Sequence, residues 1–304
     1  VRGNNMKKNV IKEYFFAINI FLGAFLLFLI QPVIGKIITP IYGGVSQVWS
    51  LCLFFFQATL FLGYTLTFVL NKFTPRIQSI IYLVFIAFAV IILKIPSAEN
   101  LPTDSYNPAM SLFMALLQYI AIPIIFVSSI STLMQNWFGI VNKQDPYYLY
   151  SVSNIGSVMA LLLFPIAIEP HISTSMTVLI WKCLFWVLAM TAGVVAVMFF
   201  VKTKDMPSQI EQKPEEAQPV SIMSFLKWIA FSSAGTILLL SYTTHITNDV
   251  APIALLWVIP LGLYLLTFII IFGSKEPYNR YTYIFISIIF VFLIYFTQIT
   301  TMHL

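Results

Sequence analysis

The chain is 304 residues long, 60% hydrophobic and only 9% charged, with a net charge of +5, whereas a water-soluble domain carries about 25% charged residues. That balance excludes a soluble globular domain. The basic residues are spread over five loops rather than gathered in one patch, so the positive charge calls for no nucleic-acid partner.

Nine apolar stretches, at approximately 15–38, 47–70, 77–95, 109–135, 147–168, 175–201, 225–246, 251–273 and 281–302, are near or above the length that crosses a bilayer core, roughly 20 residues. Backbone amides find no water in lipid, so stretches this long and apolar are predicted as helices. The alternating pattern of an outer-membrane barrel is absent. The predicted fold class is all-α, a polytopic membrane bundle of about nine transmembrane helices.

Residues 1–14 form a basic flank with Arg2, Lys7, Lys8 and Lys12, and the run that follows is too long and lacks the small-residue end of a cleaved signal. It reads as a retained signal anchor. Val1–Asn5 precede the first methionine and an apolar run ends at Leu304, a pattern expected of a gene fragment. The first helix carries Gln31, Pro32, Gly35 and Lys36, where Pro32 and Gly35 are expected to loosen the helix and free backbone groups at depth. Lys36 either meets an anionic group or snorkels to the outer interface.

Asp145 followed by Pro146 reads as an N-cap with proline at the first position of the fifth helix. Tyr147, Tyr148 and Tyr150 suit an interfacial belt. Deeper in, Gly156 permits close helix contact, and Asn154 either packs across that contact or lines a polar cavity. The outer connection after this helix supplies Glu169 and His171. Lys182 falls inside the sixth helix, where an ammonium requires a partner or a snorkel.

Six helices over 15–201 are followed by a polar linker, 202–224, with three Pro, and then by three further helices over 225–304. The linker is predicted to be flexible and cytoplasmic. After the seventh helix come His245 and Asp249, so Glu169, His171, His245, Asp249 and Lys36 could converge at the outer face. Such a group could hold a charged ligand, relay protons or bind a metal; the competing reading is solvated loop residues plus a helix cap at Asp249. Cys52 and Cys183 have no Cys or His partner at metal spacing and read as packing residues. No nucleotide loop, zinc signature or nucleophile elbow is present, so no catalytic residue, cofactor or metal is assigned.

Thirteen of the sixteen basic residues fall on the side of the N-terminal flank, all but Lys36, Lys94 and Lys182. That bias predicts a cytoplasmic N-terminus in a bacterial inner membrane.

Several of these groups taken together, Gln31-Pro32 with Gly35-Lys36, Phe55-Phe56-Gln57 with Gly63-Tyr64, Asp145 through Tyr150 with Ser153-Asn154, Glu169-Pro170, and His245-Ile246-Thr247 through Thr267, carry a resemblance over nearly the whole chain. It resembles the membrane region of bacterial fused major-facilitator/spermidine-synthase-like proteins. The resemblance implies a major-facilitator-like first half plus part of a second, preceding a soluble synthase-like domain that the sequence does not contain. The chain departs from true major-facilitator transporters at Asn71, where their loop between helices two and three carries an acidic residue, while Lys72 and Arg76 keep the basic positions. Three functions stay open: a transporter-like module for a small polar or cationic solute such as a polyamine, a non-transporting anchor for a cytoplasmic synthase-like domain, and a membrane-embedded enzyme built on His245, Asp249, Glu169 and His171.

Overall fold

The computed structural model describes the backbone of residues 2–43, 46–96, 101, 107–203, 221–249, 258–273, 279–289 and 292; the side chains of 2–12, 46, 47, 49 and 244–249 lie outside it. Every regular element among the described residues is helical. In chain order these are α1 (Arg2–Tyr42), α2 (Ser46–Leu70), α3 (Pro75–Ile92), α4 (Pro108–Asn142), α5 (Tyr147–His171), α6 (Thr174–Lys202), α7 (Ile222–Asp249), α8 (Val258–Gly273) and α9 (Arg280–Ile289). Seven of them are long and apolar enough to cross a membrane, and α8 and α9 are shorter apolar helices. Most of the predicted linker, 204–220, lies outside the described residues, as do 250–257 and 293–304.

α1 and α4 form the centre. α4 packs against α1, α2, α3 and α6, and α1 also lies against α2, α5 and α6. Large apolar side chains fill the middle: Tyr82, Phe126, Trp137 and Phe185 are fully buried. Trp137 stacks on Phe199 with ring centroids 4.4 Å apart and donates its indole N–H to Gln78 Oε1 at 2.9 Å. Trp181 donates to the Leu26 carbonyl at 2.9 Å, which ties α6 to α1. Indole nitrogens placed this deep need such acceptors, because an unmet donor in an apolar interior is costly. The outer surface is the inverse of a soluble protein's, with Phe54, Phe61, Ile91 and Phe231 among many exposed apolar side chains.

Close crossings depend on missing side chains. A Cβ on Gly156 would stand 2.5 Å from the Phe21 carbonyl oxygen, so α1 and α5 touch backbone to backbone there, as small residues allow between membrane helices.

α1 runs without a break through Pro32 and Gly35, both buried, and Pro32 has no N–H to give to the Phe28 carbonyl one turn back. Its polar side chains bond to their own helix instead of opening it: Gln31 Nε2 to the Leu27 carbonyl at 3.4 Å and Thr39 Oγ1 to the Gly35 carbonyl at 2.7 Å. At the start of α5 the cap position is Pro146, and no side chain caps it, so Asp145 is not the cap residue. The turn closes instead through the Leu149 N–H and the Pro146 carbonyl, 2.9 Å apart.

After the sixth helix the chain returns through α8, whose main seam with the first six helices is α5. Ser151 donates to the Ile269 carbonyl at 3.3 Å across it. α7 touches α8, and its apolar stretch Ile222–Thr243 buries no residue in the fold.

Candidate functional site

The predicted outer cluster assembles in part. Lys36 near the end of α1 and Glu169 near the end of α5 meet as an ion pair, Nζ to Oε1 3.6 Å, with each side chain about one-third exposed. Glu169 reaches that place through a π turn at Phe164–Ile168. Pro165 offers no N–H there, and the Glu169 N–H bonds the Phe164 carbonyl five residues back. His171 is exposed two residues on and joins no described hydrogen bond or ion pair. The side chains of His245 and Asp249 lie outside the described residues. Among the described residues no three His, Cys, Asp or Glu side chains stand close enough together to hold a metal.

The other two candidates stand apart from this pair. Lys182 is half-buried on the third turn of α6, with no ion pair or hydrogen bond among the described residues. Asn154 is half-buried and donates to the Tyr150 carbonyl of its own helix at 2.7 Å, so its amide nitrogen is spent locally.

A second polar region lies at the opposite end, which also carries Asn71, Lys72, Lys143 and Pro146. It is built on α4, whose Ser128, Ser129, Ser131, Thr132, Gln135 and Asn136 repeat at one-turn spacing. These side chains cross to three neighbouring helices. Thr132 and Thr67 hydroxyls are 3.0 Å apart, and Asn136 Nδ2 donates to Asn71 Oδ1 at 2.6 Å. Ser129 and Tyr82 hydroxyls are 3.1 Å apart. Toward α5, Gln135 Nε2 donates to Ser131 Oγ at 3.1 Å, and Ser131 Oγ donates to Ser153 Oγ at 3.1 Å.

Beside this network is an open cleft of about 430 Å³, lined by Thr132, Gln135, Asn136, Gly139, Ile140, Pro146 and Tyr150. Gln135 sits seven residues before the last residue of α4, about 10 Å along the axis. The cleft therefore reaches below the helix ends into the apolar bundle. Among the described residues no Asp, Glu, Lys, Arg or His lines it, so the polar groups it offers are amides, hydroxyls and backbone carbonyls.

The apolar stretch predicted over 109–135 stops at Gln135, whereas the helix runs on to Asn142. The polar repeat from Ser128 to Asn136 was the available signal. No family model matches this chain, and no curated protein or solved structure matches it either.

Proposed function

We propose that the chain is a transporter-like membrane module that admits a small polar or cationic solute, such as a polyamine, to the cleft between α4 and α5. The observation that carries this reading is the cleft itself: about 430 Å³ of space walled by Thr132, Gln135, Asn136 and Tyr150 inside an otherwise apolar bundle. Pockets with a few convergent polar groups are the usual form of a small-molecule site. The α5–α8 seam supports a six-helix first half joined to part of a second half, the arrangement implied by the resemblance to the fused major-facilitator/spermidine-synthase-like proteins. In this reading nine helices cross an inner membrane, with the N-terminal flank and the cleft on the cytoplasmic side.

One observation favours a second reading, a sealed anchor for a cytoplasmic enzyme domain. Where α3, α4 and α6 meet, the bundle is filled by Tyr82, Phe126, Phe185 and Trp181, each at most 1% exposed. Transport requires that plug to move; an anchor does not.

Uptake of labelled polyamines and amino acids into proteoliposomes separates the two. The transporter reading expects saturable uptake that falls at least tenfold in Gln135→Leu, with a circular dichroism melt close to that of the parent. Folded protein that moves none of the panel would sink it in favour of the anchor.

A further inference from the structure

Two buried side-chain nitrogens have no hydrogen-bond partner among the described residues, Arg76 Nε and Asn142 Nδ2. They differ as observations, because an amide turned end for end exchanges its nitrogen for its oxygen, whereas a guanidinium offers only donors. Arg76 is the firmer case. It is the second residue of α3, makes no hydrogen bond or ion pair among the described residues, and sets its Cζ 5.4 Å from the centre of the Phe200 ring on α6. A cation over an aromatic face gains part of what it lost on leaving water. It still lacks an anion.

Burial of one nitrogen decides which part of the group is open. Nε is closed off without a partner, while the two Nη atoms, equally without partners among the described residues, are not closed off, so the accessible edge is the terminal pair of N–H groups. That edge is a fork that grips two oxygens of one oxyanion. Apolar surface runs beside it: Ile80 and Val84 stand one and two turns further along the same side of α3, and Val197 and Val201 stand on either side of Phe200 in α6, each at least 50% exposed. α3 and α6 pack against each other, so these side chains lie on neighbouring helices. A cation at a helix end with bare apolar surface along the helices matches a phospholipid in outline, head group first and acyl chains after.

We propose that Arg76 holds the phosphate of an anionic phospholipid, such as a phosphatidylglycerol, whose acyl chains lie along the outer surface of α3 and α6. This goes beyond the transporter reading and holds whether or not the chain moves a solute. Charge selects the head group: an anionic lipid neutralises the arginine, whereas a zwitterionic lipid brings an ammonium to it as well. Position agrees with charge, since the basic bias assigns this end to the cytoplasm, and anionic lipids of that leaflet attract basic groups beside membrane helices. Free phosphate would fill the fork and leave Ile80, Val84, Val197 and Val201 unused. A lipid uses both.

The test is native mass spectrometry of the full chain released from detergent micelles, with phosphatidylglycerol, phosphatidylcholine or diacylglycerol of the same acyl chains added in turn. The parent is expected to keep one phosphatidylglycerol at collision energies that strip the other two lipids. In Arg76→Gln the affinity for phosphatidylglycerol is expected to fall roughly tenfold or more, as loss of a charge-assisted bidentate contact implies, whereas Lys72→Gln keeps it. Arg76→Lys retains the charge without the fork and is expected to lose most of that affinity. The comparison of lipids on the parent needs no substitution, so it decides the question if Arg76→Gln fails to fold. Equal retention of the three lipids overturns the proposal, and so does unchanged retention of phosphatidylglycerol by folded Arg76→Gln. Inorganic phosphate that binds the parent as tightly as the lipid does would assign the fork to a free anion and overturn the lipid as its occupant.

Discussion

Lys36 and Glu169 show how little a charge pair tells until its exposure is known. Their 3.6 Å separation is an ion pair, but each side chain is about one-third exposed, so solvent screens it and side-chain entropy opposes it. A double-mutant cycle with Lys36→Met and Glu169→Gln, read by thermal unfolding in detergent, is expected to give a coupling below about 1 kcal/mol. A coupling several times larger would mean that lipid desolvates the pair and makes it a structural lock. Gln135 is the opposite case, a neutral side chain that is 4% exposed and tied to Ser131 Oγ through its amide. The residues that drew notice in the sequence, Lys36, Glu169, His171 and Lys182, did so by charge. Gln135 and Asn136 drew none, because single amides near a helix end are ordinary until the fold shows where their nitrogens are spent.

At the scale of elements, the α1–α5 crossing is fixed by Gly156. A leucine at this position cannot rotate away from a backbone carbonyl 2.5 Å from its Cβ, so α5 must move off α1. Gly156→Leu is expected to cost about 1–3 kcal/mol, the usual range for overpacking, seen as a lower unfolding temperature in detergent. An unchanged melt would mean that the crossing is loose. The value of Gly156 as a close-contact residue was legible in the sequence, since a glycine in an apolar helix has few other uses there. Its partner, the Phe21 carbonyl, was not legible, because no local pattern tells which helix lies opposite. The same limit explains the start of α5: Asp145-Pro146 has the residue order of a cap, yet the chain leaving α4 through the left-handed Lys143, φ 51°, delivers Pro146 to the cap position and leaves Asp145 outside it.

On the scale of the whole molecule, the described inter-helix connections fall at two ends. The loop at 71–74 and the turn at 143–146 share an end with the cleft, through Asn71, Asn136 and Pro146, and the Lys36–Glu169 pair marks the other. Membrane-impermeant maleimide on single cysteines, in a background lacking Cys52 and Cys183, is expected to reach Lys72→Cys and Lys143→Cys from one side. His171→Cys is expected to react from the opposite side. Labelling of all three from one side would refute the bundle orientation shared by α2, α4 and α5. The basic bias assigns Lys72 and Lys143 to the cytoplasm, so right-side-out cells should protect those two and expose His171→Cys.

Composition and segment length by themselves determined that this chain is helical and built for a membrane, because lipid imposes one rule on every residue: backbone groups must be satisfied within their own segment. That rule is local and is visible in any stretch of about 20 apolar residues. Which helices meet is not local. Only the tertiary structure set α1 and α4 at the centre, joined Lys36 to Glu169 across 133 positions of sequence, and turned the polar repeat of α4 into the wall of a cleft. Pairing of helices rests on small differences in packing and on single cross-helix hydrogen bonds, and those depend on the full three-dimensional arrangement of the chain.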